Sequence, residues 1–213
     1  MSLMDKDENR IVLFGGSFNP IHNGHIAIAK AAAEEFSLDE VVLLPNKITY
    51  YKEHSDKFLS DEARVEMLKL VEKFNPFLSV NDMEIRRGGV TKTIDTVDEL
   101  LAEDPDRKIY LIIGTDSFAW IDKWVEADRL LRNVSLIVAM RQGMDETEFD
   151  QKKAELISNY PELEIYKLGL EKIDISSSEI RSRIKNGEPV KGLLPEYLIE
   201  YIVYTGIYDS LTR

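Results

Sequence analysis

Four apolar residues, Ile11-Val12-Leu13-Phe14, run straight into Gly15-Gly16-Ser17-Phe18-Asn19-Pro20-Ile21-His22-Asn23-Gly24-His25. The helix-forming stretch Ile26-Ala27-Ile28-Ala29-Lys30-Ala31-Ala32-Ala33 follows at once. A strand, a glycine turn and a helix start in direct succession leave few folds open. This junction sets backbone N–H groups and the positive end of a helix dipole beside bound phosphate. Two common versions are excluded, because Gly15, Gly16 and Gly24 do not fit G-x-G-x-x-G and no Gly-Lys-Ser/Thr follows. Instead His22 and His25, two of the chain's three histidines, stand at the helix entrance. An imidazole there can donate to phosphoryl oxygens as charge builds up on them. Residues 15–25 read as a phosphate-handling site.

The rest of the chain repeats the alternation. Val41-Val42-Leu43-Leu44, Leu78-Ser79-Val80, Ile109-Tyr110-Leu111-Ile112-Ile113, Val134-Ser135-Leu136-Ile137-Val138-Ala139 and Leu163-Glu164-Ile165-Tyr166 are strand-like. Between them the spacing predicts a helix capped by Ser60, with Ala63, Met67, Leu68 and Val71 on one face, and another from Thr93 or Asp95 through Leu101. Further helices are expected at about 146–158, 178–185 and 195–204. Apolar runs without strict alternation, separated by helices, indicate a parallel sheet covered on both faces. The expected fold is therefore α/β, a Rossmann-like doubly wound parallel sheet in one domain with a C-terminal helical segment. Ligands in such sheets bind beyond the carboxyl ends of the strands, near the switch point. The informative loops, 15–25, 45–52 and 114–124, fall there.

Composition narrows the partners. At 213 residues the chain suits one domain, taken as 4–213, with Met1-Ser2-Leu3 read as a cloning scar. A formal net charge of −12 disfavours nucleic acid and anionic membranes as partners, although a basic pocket can still capture a phosphate ligand. The absence of cysteine rules out disulfides and thiol catalysis. No apolar run or leader suggests membrane insertion or export, so a cytoplasmic location is expected. Oligomeric state is open, a homo-oligomer included.

Two further constellations carry chemistry. Ile175-Ser176-Ser177-Ser178-Glu179-Ile180-Arg181 offers hydroxyls and N–H groups at a helix start, with Arg181 one turn in; an ordinary serine cap with a solvated arginine is the plainer alternative. Gly114-Thr115-Asp116-Ser117 follows the most strand-like run, with Trp120 and Trp124 beyond. A carboxylate there can accept from ribose hydroxyls and an indole can stack on a ring, while a helix cap and core packing are the alternatives.

Residues 15–25 resemble the G-G-(T/S)-F-(D/N)-P-x-H-x-G-H form of the (T/H)-x-G-H signature of the nucleotidyltransferase superfamily. Residues 175–181 resemble its I-S-S-(T/S)-x-I-R phosphate motif. Ile113-Gly114-Thr115-Asp116 with Asp122-Lys123-Trp124 resembles the I-I-G-A-D…L-P-K-W block of bacterial nicotinate mononucleotide adenylyltransferases, with Val125 where a second aromatic residue is usual. Pro45-Asn46-Lys47-Ile48-Thr49-Tyr50-Tyr51-Lys52 is similar to that family's P-N-x-x-P-P-H-K, keeping Pro45, Asn46 and Lys52. Residues 87–96 resemble (R/K)-x-G-P-S-Y-T-x-D-T, keeping Thr93, Asp95 and Thr96.

The resemblance implies transfer of AMP from ATP to nicotinate mononucleotide, with Mg²⁺ bound mainly through the ATP phosphates and no metal ligands from the chain. By the same resemblance His22, His25, Ser17, Lys52 and Arg181 serve catalysis. Gly15, Gly16, Phe18, Gly24, Gly114, Asp116, Ile175, Ser176 and Ser177 join them in binding ATP, except for Lys52. Asn46, Lys52, Thr93 and Trp124 meet the acceptor, Trp124 by stacking on the pyridine ring. The alternatives are the same chemistry on nicotinamide mononucleotide or phosphopantetheine, or a catalytically weak nucleotide-binding regulator.

Overall fold

The computed structural model describes residues 9–47, 59–140, 144–169 and 175–208. Six strands form one sheet: β1 (Arg10–Gly16), β2 (Val41–Pro45), β3 (Leu78–Val80), β4 (Lys108–Gly114), β5 (Ser135–Ala139) and β6 (Ile165–Leu168). Their spatial order is β3-β2-β1-β4-β5-β6, and every neighbouring pair is parallel. The order reverses between β1 and β4, which puts a topological switch point beside the glycine turn that ends β1.

Strand residues alternate between two cores. Val12 and Phe14, Val41 and Leu43, and Tyr110 and Ile112 pack on one face. Leu13, Val42 and Leu44, and Ile109, Leu111 and Ile113 pack on the other. Both faces are buried, so the strands read as unbroken apolar runs.

The first face is covered by α1 (Asn23–Phe36), α2 (Asp61–Phe74), α8 (Ser177–Lys185) and α9 (Glu196–Thr205). The second takes α4 (Thr93–Glu103), α6 (Ala127–Leu131) and α7 (Glu146–Asn159). Two short helices, α3 (Met83–Arg87) and α5 (Thr115–Phe118), and a 3₁₀ turn (Ile121–Lys123) line the carboxyl edge of the sheet. Among the described residues, no helix is long and apolar enough to cross a membrane.

The predicted elements are present, with one displacement. The last strand begins at Ile165, two residues after the start expected at Leu163, because Leu163 N–H closes a turn onto Tyr160 O while its side chain fills the second core. The short helices α3, α5 and α6 carry too few residues for a periodic signal.

Candidate active site

The turn after β1 is built on its own aromatic floor. Phe18 takes a left-handed φ of 44°, and its ring is buried edge-on to Phe14 at 5.8 Å and to His25 at 5.1 Å. A side chain at Gly16 would place Cβ 3.2 Å from that ring, so this glycine makes room for Phe18. A Cβ at Gly15 would meet nothing within 4 Å. Main chain at Gly15 is therefore open to a ligand. The Phe18 ring lies in the core, so only its main chain is left to meet a nucleotide.

His22 and His25 cap α1 reciprocally. Nδ1 of His22 accepts from the His25 N–H, and Nδ1 of His25 accepts from the His22 N–H, each at 3.3 Å. The rings stack with centroids 3.7 Å apart. A neutral imidazole accepting at Nδ1 carries its proton on Nε2, so both histidines are set as Nε2–H donors. His22 is buried, whereas His25 is partly exposed and lines a cleft.

That cleft, about 620 Å³, opens over the switch point. It brings together Gly15, Gly16, Ser17 and His25 with Gly114 and Asp116 at the end of β4, and with Asn46, Thr93 and Trp124. Trp124 is half-buried against the second core and still faces the cleft, so packing and ligand contact coexist there. Trp120 stands at the rim, 66% exposed. Asp116 lies in the first turn of α5, which is capped by Gly114.

The serine-rich segment behaves differently from its neighbours. Ser176 caps α8 by accepting from Glu179 N–H at 3.1 Å, and Ile175 packs toward the first core. Ser177 Oγ donates to Pro20 O at 2.9 Å, and Arg181 Nη1 donates to Asn19 O at 2.9 Å. Arg181 also reaches Ser178 Oγ at 3.2 Å. This helix start therefore grips the main chain of the turn after β1. His22, Gly24, Ser176, Ser177 and Arg181 lie outside the cleft lining. Lys52 and the Thr49-Tyr50-Tyr51 segment lie outside the described residues.

Two polar residues of the site escaped the sequence reading. Arg64 is buried at 2% exposure and donates to Ser17 O and Asn46 O, each at 2.7 Å. Its signal was a charge on the α2 face otherwise made by Ala63, Met67, Leu68 and Val71. Glu84, at 3% exposure, lines the cleft and accepts from Thr96 Oγ1 at 2.7 Å. Arg87 donates to the same Thr96 hydroxyl at 2.7 Å and to Glu99 at 3.1 Å.

Burial raises the Glu84 carboxyl to about 7 from the ordinary 4.5, against the Thr96 hydrogen bond and the Arg87 charge, with Glu99 and Asp95 adding to the rise. The stability tied to its proton is complete below pH 4.5 and is lost as pH climbs through 7. Glu84→Gln keeps the neutral form at every pH. Urea unfolding should find it close to wild type near pH 4.5 and more stable by about 3.5 kcal/mol at pH 8, from ~1.4 kcal/mol per pKa unit over the rise from 4.5 to about 7. A pH-independent difference between the two would refute the assignment.

Comparison with known proteins places these features in a family context. The family model described as cytidylyltransferase-like matches residues 13–183. The "probable nicotinate-nucleotide adenylyltransferase" of Lachnoclostridium phytofermentans is 36% identical over 199 residues, covering 93% of this chain and 98% of the relative. The nicotinate-nucleotide adenylyltransferase of Bacillus subtilis is 34% identical over 202 residues, covering 94% and 99%. In structure, a Plasmodium falciparum nicotinic acid mononucleotide adenylyltransferase complexed with NaAD superposes with a TM-score of 0.75 at 20% identity, covering 95% of this chain and 98% of that one.

Proposed function

Because the chain belongs to the cytidylyltransferase-like family, with nicotinate-nucleotide adenylyltransferases as full-length relatives, we infer that it is an adenylyltransferase of that kind. It transfers AMP from ATP to nicotinate mononucleotide and releases pyrophosphate, forming nicotinate adenine dinucleotide, a step of NAD biosynthesis. The observation that carries this reading is the cleft over the switch point. There the phosphate-type turn of β1 faces the Asn46, Thr93 and Trp124 bank.

A phosphate oxygen of the mononucleotide attacks the ATP α-phosphorus in line. The bond to the bridging oxygen breaks, and its electron pair leaves with pyrophosphate. No covalent enzyme intermediate is needed, so catalysis rests on positioning and charge stabilisation. His25 Nε2–H donates to the α-phosphate oxygens, with Ser17 and the open main chain of Gly15 and Gly16 beside it. His22 acts mainly through the cap that orients His25. Asp116 and Gly114 meet the nucleoside, and Lys52 adds positive charge. Arg181, Ser176 and Ser177 shape the phosphate end, Ser177 and Arg181 by fixing the turn.

Among the described residues, no three His, Asp or Glu side chains are grouped to hold a metal. Mg²⁺ would be held mainly through the ATP phosphates rather than by side chains of the cleft, and would supply charge neutralisation for the leaving group. The enzyme works in the cytoplasm on this reading. The relatives' shared name favours nicotinate mononucleotide over the other acceptors considered.

Pyrophosphate release with ATP and a panel of phosphate monoesters tests the assignment. Nicotinate mononucleotide should be the most efficient acceptor, and higher efficiency with nicotinamide mononucleotide or phosphopantetheine would overturn it. In the same assay Trp124→Ala should weaken acceptor binding by about 1–3 kcal/mol, the scale of aromatic stacking, and leave the ATP Michaelis constant nearly unchanged. Equal losses for both substrates would point to packing alone.

A further inference from the structure

We propose that Arg64 is a positioning residue for adenylyl transfer, holding the Ser17 bank and the Asn46 bank of the cleft at one fixed spacing. The proposal rests on the transfer reaction inferred above. One guanidinium makes both ties: Nη1 donates to Ser17 O and Nη2 to Asn46 O, each at 2.7 Å. Ser17 belongs to the turn after β1 and Asn46 to the turn after β2, and both line the cleft.

The surrounding bonds extend the bracket. Asp61 neutralises Arg64, with Oδ1 accepting from Nη2 at 2.5 Å, and lies 3.6 Å from Lys47 Nζ. Lys47 N–H donates to Thr91 Oγ1 at 3.1 Å, which reaches the bank carrying Thr93. Leu59 N–H, just before α2, donates to Asn19 Oδ1 at 3.4 Å. The start of α2 is thus where three cleft-forming segments converge.

Apolar residues could fill this volume without desolvating a cation. They could not hold two carbonyls in a set relation. A planar fork of five donors can, whereas lysine concentrates its donors on one nitrogen. An in-line transfer between two bound phosphates depends on such registration, since a misplacement of about 1 Å costs ~10²-fold in rate.

The test compares wild type, Arg64→Lys and Arg64→Met for kcat, both Michaelis constants, melting temperature and hydrogen exchange at the Asn46 amide, which donates to Gly16 O at 3.0 Å. Arg64→Met removes the buried charge and leaves Asp61 with Lys47, so it is expected to fold even if the lysine variant does not. Both variants should lose about 10–100-fold in kcat, with each Michaelis constant within about threefold of wild type. Exchange at Asn46 should accelerate. A lower melting temperature with kcat per folded enzyme unchanged would overturn the proposal, as would a rise in one Michaelis constant alone. If wild type fails to transfer AMP, the functional reading falls, and exchange at Asn46 still decides whether the bracket exists.

Discussion

His25→Asn is expected to lower kcat by about 10²–10³-fold, corresponding to ~2–4 kcal/mol for removing one preorganised donor. Asparagine is the informative replacement because His25 has two jobs on opposite sides of its ring. Nδ1 accepts from the His22 N–H, completing the cap of α1, while the ring also lines the cleft. An asparagine Oδ1 can take over the first role, leaving the second vacant. His25→Ala loses both, so it should show the same kinetic defect with about 1 kcal/mol less stability. Steady-state kinetics and thermal melts of the two variants separate the roles. Near-wild-type turnover in folded His25→Asn would show that the ring does not touch the reacting phosphate.

Phe18→Ala is expected to cost about 3–5 kcal/mol of stability, the range for emptying a buried aromatic site. The ring is 1% exposed and is wedged between Phe14 and His25, beneath Gly16, where an added Cβ would crowd it at 3.2 Å. Its loss should also let His25 tilt, so kcat should fall even at temperatures where the variant is folded. Phe18→Leu, which keeps most of the volume, should recover more stability than activity. Urea unfolding alongside kcat checks both parts. A stability loss under 1 kcal/mol would mean that the turn repacks without the ring.

Both expectations concern one short turn whose strand–glycine–helix order was legible in the sequence. The strand, the glycines and the paired histidines led to the phosphate reading proposed above because few other junctions place N–H groups, a dipole and imidazoles together. The order of elements was equally legible. The central strands β2, β4 and β5 bury both faces and so are almost wholly apolar, whereas each long helix has one apolar stripe, and this difference in pattern separates them.

Other features were decided by contacts far apart in the chain. Ser177 and Arg181 bond to Pro20 and Asn19 across 157 and 162 residues, so nothing local marks them as clamps on the turn. His22 and His25 were expected only as donors to phosphoryl oxygens, yet each also spends Nδ1 on the other's backbone. Helices α3, α5 and α6 span only four or five residues, too short to form without the packing that surrounds them.

Sequence alone determined the class of the sheet, the edge where its polar loops gather and the residue types they carry, since these depend on local pattern and on the chemistry of individual side chains. Tertiary structure decided which of those groups face the cleft and which hold it in shape. Arg64 and Glu84 are the clearest cases, a cation and a carboxyl buried at 2% and 3% exposure. Their partners come from separate turns and helices, and the cost of burying a charged or polar group is set by neighbours that only the folded chain supplies.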